Sequence, residues 1–202
     1  MYLSNISNSE IDKLEILKFE GQIDVIDNNE KLSKSLQELK KCKILGFDTE
    51  TKPNFKKGIK NRNHISLIQL ANDKKAYLIR INKIGFPNSL LQILADPKIL
   101  KVGIGLKDDL KGLLEVCKLN NGSSKNCYIN SDSFLDIQNI ACNFGIEALS
   151  LKKLSAIVLD YKISKSAQLS NWENTILTKK QQQYAAIDAF VCLKIYYKLF
   201  DN

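Results

Sequence analysis

Polar and apolar positions alternate with a period of two over Gln22-Ile-Asp-Val-Ile26, which predicts a short strand. Asp27-Asn-Asn29 then offers side-chain oxygens for a helix cap. Leu32, Leu36 and Leu39 share one helical face over Glu30 to Lys41. The apolar run Lys43 to Glu50 ends in charge and reads as a buried strand. Residues 52 to 63 form a basic loop containing Pro53 and Gly58. Two more strands follow, His64 to Leu70 and Ala76 to Arg80, joined by a turn at Asn72 to Lys75. Beyond them the pattern predicts a helix over Ser89 to Ala95 and a strand over Ile99 to Ile104. That strand passes through Gly105 into a helix beginning near Asp108. A polar loop (120 to 131) leads to a short strand at Phe134 to Ile137 and another helix. Ala148 to Leu159 is helical, Asp160 to Thr178 is irregular, and the last helix runs from Thr178 to Leu199.

Three consecutive strands followed by strands alternating with helices predict an α/β fold. The expected architecture is a mixed central sheet of about five main strands flanked by helices, with a meander at one edge and parallel crossovers beyond it. At 202 residues the chain suits one domain, read as 19–202 behind a polar arm at 1–18.

Composition changes the picture in three ways. With 44% hydrophobic residues a full core can form, yet no apolar run is long enough to cross a bilayer. The first residues lack the blocks of a secretory signal, so a cytoplasmic protein without a membrane partner is expected. A net charge of +8 favours a polyanionic partner, because neutralised phosphates release counterions. Arg62 and Arg80 are the only arginines, and many of the lysines read equally well as a solvated face. The five cysteines form no CxxC pair and the single histidine is His64. A zinc site or disulfide framework is therefore not expected, and the cysteines read as small core residues.

The chemistry concentrates on carboxylates. Asp48 and Glu50 stand two apart at a strand end and so project to one face. Side by side they repel, and each is driven towards protonation unless a cation sits between them. Oxygen-only ligands suit Mg²⁺ or Mn²⁺. A bare D-x-E is equally compatible with Glu50 opening a solvated loop. In Gly103-Ile-Gly-Leu-Lys-Asp-Asp109 a strand turns into a helix. One aspartate there caps the helix or faces solvent and the other is available for function; the residues alone do not separate Asp108 from Asp109. Tyr184 and Asp188 are i and i+4 on a late helix, among Ala185, Ala186 and Ala189. An aspartate in so apolar a stretch requires a metal or a partner, and a simple tyrosine–aspartate hydrogen bond in the core is the plainer alternative.

In order these residues read D-x-E on a strand, D at a strand-to-helix turn, and Y-x-x-x-D on a helix. With ISLIQL (65–70), KVGIGLKDDLKGL (101–113), LSNWENTILT (169–178) and YAAIDAF (184–190), the chain resembles the DEDDy branch of the DnaQ-like 3′–5′ exonucleases, on the ribonuclease H-like fold. Within that branch it is similar to the Werner-syndrome exonuclease domain and to ribonuclease D. The resemblance selects Asp109 over Asp108. It implies two divalent ions, Mg²⁺ or Mn²⁺: Asp48, Glu50 and Asp188 holding one, Asp48 bridging to a second with Asp109, and Tyr184 orienting the attacking water. It implies hydrolysis at the 3′ end of DNA or RNA with release of nucleoside 5′-monophosphates. The alternatives are a catalytically silent nucleic-acid-binding module or an endonuclease on the same fold.

Thr49, Lys52, Lys56, Lys57 and Arg62 are candidate substrate contacts, the last four in a loop that reads equally well as solvated. His64 is expected to be structural or, less so, a contact to the substrate strand. Trp172 is expected to pack rather than stack on a base, and Asp136 to lie near the site without being a ligand. Ending at Asn202, the chain is expected to lack helical nucleic-acid-binding domains and to take targeting from a partner.

Overall fold

The structure, a computed structural model, describes residues 1–54, 63–121, 127–164 and 166–200. The chain opens with a helical turn, α1 (Asn8–Ile11), and a two-residue strand, β1 (Glu15–Ile16). Strand β2 (Gln22–Ile26) precedes α2 (Asn29–Leu39). Helix α2 begins where the Asn28 side chain accepts the Lys31 N–H at 2.9 Å, and it buries Leu32, Leu36 and Leu39. Then come β3 (Ile44–Thr51), β4 (Ile65–Ala71), β5 (Lys75–Ile79), α3 (Ile81–Ile84), α4 (Asn88–Ala95), β6 (Leu100–Gly103) and α5 (Leu106–Asn121). The remainder is β7 (Phe134–Asp136), α6 (Ile137–Asn143), α7 (Leu151–Leu154) running into a π-type turn at Ser155–Leu159, β8 (Tyr161–Lys162) and α8 (Lys179–Phe200).

Six strands form the main sheet in the order β2-β5-β4-β3-β6-β7. The antiparallel meander β3-β4-β5 is present, and β6 and β7 add in parallel beyond β3. The meander does not form the edge, however: β2 pairs in parallel outside β5. Period-two alternation identifies β2 as a strand but carries no information about its partner. The three-residue β7 is the sixth strand beside five longer ones.

Alternation along each strand sorts side chains to two layers. Leu45 and Phe47 of β3, Ile68 and Leu70 of β4, and Tyr77 and Ile79 of β5 pack with α2, α4 and α5. The opposite face, with Ala71, Ala76 and Val102, is covered by α8 and α6. Gly46, Asp48 and Glu50 fall on this second face by the same alternation.

The polar arm at 1–18 packs on the rest of the chain: Ile6 and Ile11 are buried against Ala156, and β1 pairs with β8. The cysteines depart from the sequence reading. Cys117 and Cys127 are joined by a disulfide with Cα atoms 5.7 Å apart, whereas Cys192 is buried in the core as expected. The pairing depends on how α5 leads back to the sheet, which cysteine spacing alone does not reveal.

Candidate active site

Asp48 and Glu50 leave β3 towards α8. That helix starts at a reciprocal cap: the Thr178 hydroxyl accepts the Gln181 N–H at 3.2 Å, and the Gln181 side-chain oxygen accepts the Thr178 N–H at 3.0 Å. Further along, Ala185, Ala186 and Ala189 are fully buried and let the helix settle on the sheet. Asp188, buried among them, is carried to the end of β3. Asp48, Glu50 and Asp188 each offer a carboxylate oxygen, and these oxygens all lie within 4.8 Å of one another.

Such a cluster is electrostatically unfavourable by itself. Burial, then the charges of Asp188, Glu50 and Asp109, hold the Asp48 carboxyl well above the usual range. Burial, then Asp188 and Asp109, push Glu50 up to about 9. A cation among the three would relieve both burial and repulsion, and an all-oxygen donor set fits a hard divalent ion. The residues present therefore fit the metal that the sequence implies.

Asp109 sits in the first turn of α5 and is not one of the three converging carboxylates. The Thr49 hydroxyl donates to it, tying the helix to β3 between Asp48 and Glu50. The start of α5 is fixed by Asp136, whose Oδ2 accepts the Leu106 N–H at 3.0 Å while its Oδ1 accepts the Gln138 N–H of α6 at 3.0 Å. Asp136 thus caps and positions. Tyr184 hydrogen-bonds Asp188 one turn away, and burial followed by the Asp188 and Glu50 charges holds its phenol protonated well past neutrality.

Trp172 packs, as expected. It is fully buried with its ring 6.0 Å from that of Tyr184, and its indole N–H, which makes no hydrogen bond of normal geometry among the described residues, is near enough to Glu50 to oppose the rise in that carboxyl. Its loop is held from below by buried Arg80, which donates to the carbonyls of Trp172 at 3.4 Å, Thr175 at 3.2 Å, and Asn174. From the side, Glu173 accepts from Lys52 at 3.1 Å and from the Ser66 hydroxyl at 3.3 Å.

The carboxylates stand where two clefts meet. One, of about 540 Å³, is lined by Glu50, His64, Asp109 and Lys111 among others; the second, of about 250 Å³, is lined by Asp48, Lys152, Tyr184 and Asp188 among others. Of the candidate substrate contacts, Thr49 serves Asp109 and lines the wider cleft, and Lys52 is paired with Glu173. Lys56, Lys57 and Arg62 lie outside the described residues. His64 lies in the wider cleft beside Glu50 rather than in the core. Lys111, absent from the sequence reading, stands there too; its position three residues after Asp108 on α5 was the available signal.

A mixed sheet with helices on both faces and converging carboxylates at the end of its central strand defines a ribonuclease H-like protein with a metal-fitting acidic site. The chain belongs to the 3′–5′ exonuclease family, whose model, described as 3′–5′ exonuclease, matches residues 23–202. It is 31% identical over 201 residues to a protein of Acanthamoeba polyphaga mimivirus named as a 3′–5′ exonuclease, R431, covering 93% of this chain and 48% of that protein. It is 34% identical over 163 residues to the bifunctional 3′–5′ exonuclease/ATP-dependent helicase WRN of Mus musculus, covering 77% of this chain and 11% of that protein. The chain thus spans less than half the length of these curated relatives. In fold it superposes on the crystal structure of the Aedes aegypti Nibbler EXO domain with a TM-score of 0.78 at 24% identity, covering 92% of this chain and 91% of the other.

Proposed function

We propose that the chain is a metal-dependent exonuclease that removes nucleoside 5′-monophosphates from the 3′ end of DNA or RNA. The observation that carries this reading is the convergence of Asp48, Glu50 and Asp188 oxygens within 4.8 Å, on a chain of the 3′–5′ exonuclease family. Asp48, Glu50 and Asp188 would hold one divalent ion, Mg²⁺ or Mn²⁺, and Asp109, fastened to Thr49, would help Asp48 hold a second. When bound, such ions supply Lewis-acid charge that offsets the negative charge building on the scissile phosphate and leaving oxygen.

The chain's own groups do the rest. Tyr184, fixed by its hydrogen bond to Asp188, presents its hydroxyl to orient the attacking water. His64 and Lys111, which line the wider cleft, would meet phosphates and sugars of a strand drawn across the carboxylates. The net charge of +8 supports attraction of a polyanion.

Matched DNA and RNA oligonucleotides labelled at the 5′ end, incubated with Mg²⁺ or Mn²⁺, test the reading. Stepwise shortening from the 3′ end with release of mononucleotides is expected, abolished in Asp188→Ala. No release from either polymer with both metals supplied overturns it. Internal cuts that persist when the 3′ end is blocked replace it with an endonuclease.

A further inference from the structure

Gln69 lies in the middle of β4, is fully buried, and among the described residues has no hydrogen-bond partner for either its side-chain nitrogen or its oxygen. A buried amide left unpaired destabilises the fold, so its retention here needs a reason. Register supplies one. In the antiparallel pair of β3 and β4, Gln69 stands directly opposite Asp48. Residues opposite one another share a sheet face with Cβ atoms about 4.5–5.5 Å apart, within reach of a glutamine side chain.

The surroundings narrow the choice of partner. Along β4 the same face carries Leu67 and Ala71, and on β5 the residue opposite Gln69 is Leu78. From above, α8 brings Ala185 and Ala189. Directly opposite, Asp48 is the polar neighbour; Glu50, opposite Leu67, is the next carboxylate along this face, and Leu67, Ala71 and Leu78 are hydrocarbon. The terminal amide torsion of glutamine is broad, so a rotation suffices to aim the N–H at the carboxylate.

We infer that Gln69 is a positioning residue for Asp48: when a divalent ion is bound, a turn of the Gln69 amide lets its side-chain N–H donate to the Asp48 carboxylate and hold it in the orientation that receives the ion. The inference rests on the proposed metal-binding role of Asp48. Groups that hydrogen-bond a metal-ligating side chain change metal affinity about 10- to 100-fold when removed. Gln69 would then cost stability while serving the site, and a purely structural residue does not show that combination.

Gln69→Leu separates the two roles, since leucine fills similar space without an amide. Thermal melting in the presence of chelator and calorimetric titration with Mn²⁺ alone are compared for wild type, Gln69→Leu and Asp48→Asn. The expected result is a metal-free melting temperature for Gln69→Leu equal to or above wild type, with Mn²⁺ affinity lower by at least about tenfold. Wild-type affinity in Gln69→Leu overturns the inference while leaving the metal site intact. A drop in metal-free melting temperature alongside the loss of affinity also overturns it, by showing an ordinary packing role. If wild type binds no Mn²⁺, or Asp48→Asn binds it undiminished, the metal-site reading falls and the inference with it.

Discussion

Gly46 and Ala189 are in backbone contact: a Cβ on Gly46 would stand 1.9 Å from the Ala189 carbonyl oxygen. That contact sets the height of α8 above β3, and Asp48 and Asp188 are each within two residues of it. Gly46→Ala forces the helix away. The expected cost is about 1–3 kcal/mol in urea unfolding, with loss of metal binding because the carboxylates are drawn apart. Unchanged Mn²⁺ affinity in a folded Gly46→Ala protein would contradict this coupling.

Tyr184→Phe keeps the ring against Trp172 and removes the hydroxyl bonded to Asp188. A fall in kcat of about a hundredfold with little change in KM for an oligonucleotide is expected. Equal losses in metal affinity would instead assign the hydroxyl to holding the carboxylate.

The acidic cluster gives a signed pH dependence. Glu50 titrates at about 9 in the fold against an ordinary value of 4.5, and Asp48 shifts the same way. Between those values the native state holds a proton that the unfolded chain has lost. Their contribution to stability is thus full below the ordinary carboxylate range and is lost as pH rises through the raised values. Bound metal competes with those protons. In chelator, the melting temperature should fall as pH climbs through this window, and the rise produced by Mg²⁺ or Mn²⁺ should grow with pH. A metal-induced rise that is the same throughout would show that the carboxylates are already ionised.

Arg80 is a test of the loop that carries Trp172. Arg80→Leu strips donors from three backbone carbonyls and should cost about 3 kcal/mol. It should also raise KM more than it lowers kcat, because Glu173, Lys52 and Ser66 are bound into the same loop. Faster proteolytic cleavage within residues 170–178 would locate the effect.

The sequence was informative where a side chain's role follows from its own strand or helix. The apolar run into Asp48 and Glu50, and the i, i+4 pair Tyr184 and Asp188, announce a shared face without reference to the rest of the chain. Whatever depends on which elements become neighbours was less legible. Asp109 and Asp108 have the same local environment in sequence, and it is Thr49 across the β3–α5 boundary that distinguishes them. Gln69 sits in a run of apolar residues and gains meaning only from register with Asp48. Lys52 read as a phosphate contact or part of a solvated loop, and its pairing with Glu173 comes from the loop after residue 170. His64 read as part of a strand, but β4 starts one residue later and leaves it in the cleft.

Asp136 has only two oxygens, and each is committed to a different helix: one to the start of α5, in one layer, the other to α6, in the opposite layer. An asparagine offers a single oxygen and could serve one helix only, while glutamate would present both oxygens from a carbon too far out. The position is therefore a keystone with one admissible shape, through which the helix bearing Asp109 and the layer bearing Asp188 share a common reference point on the sheet.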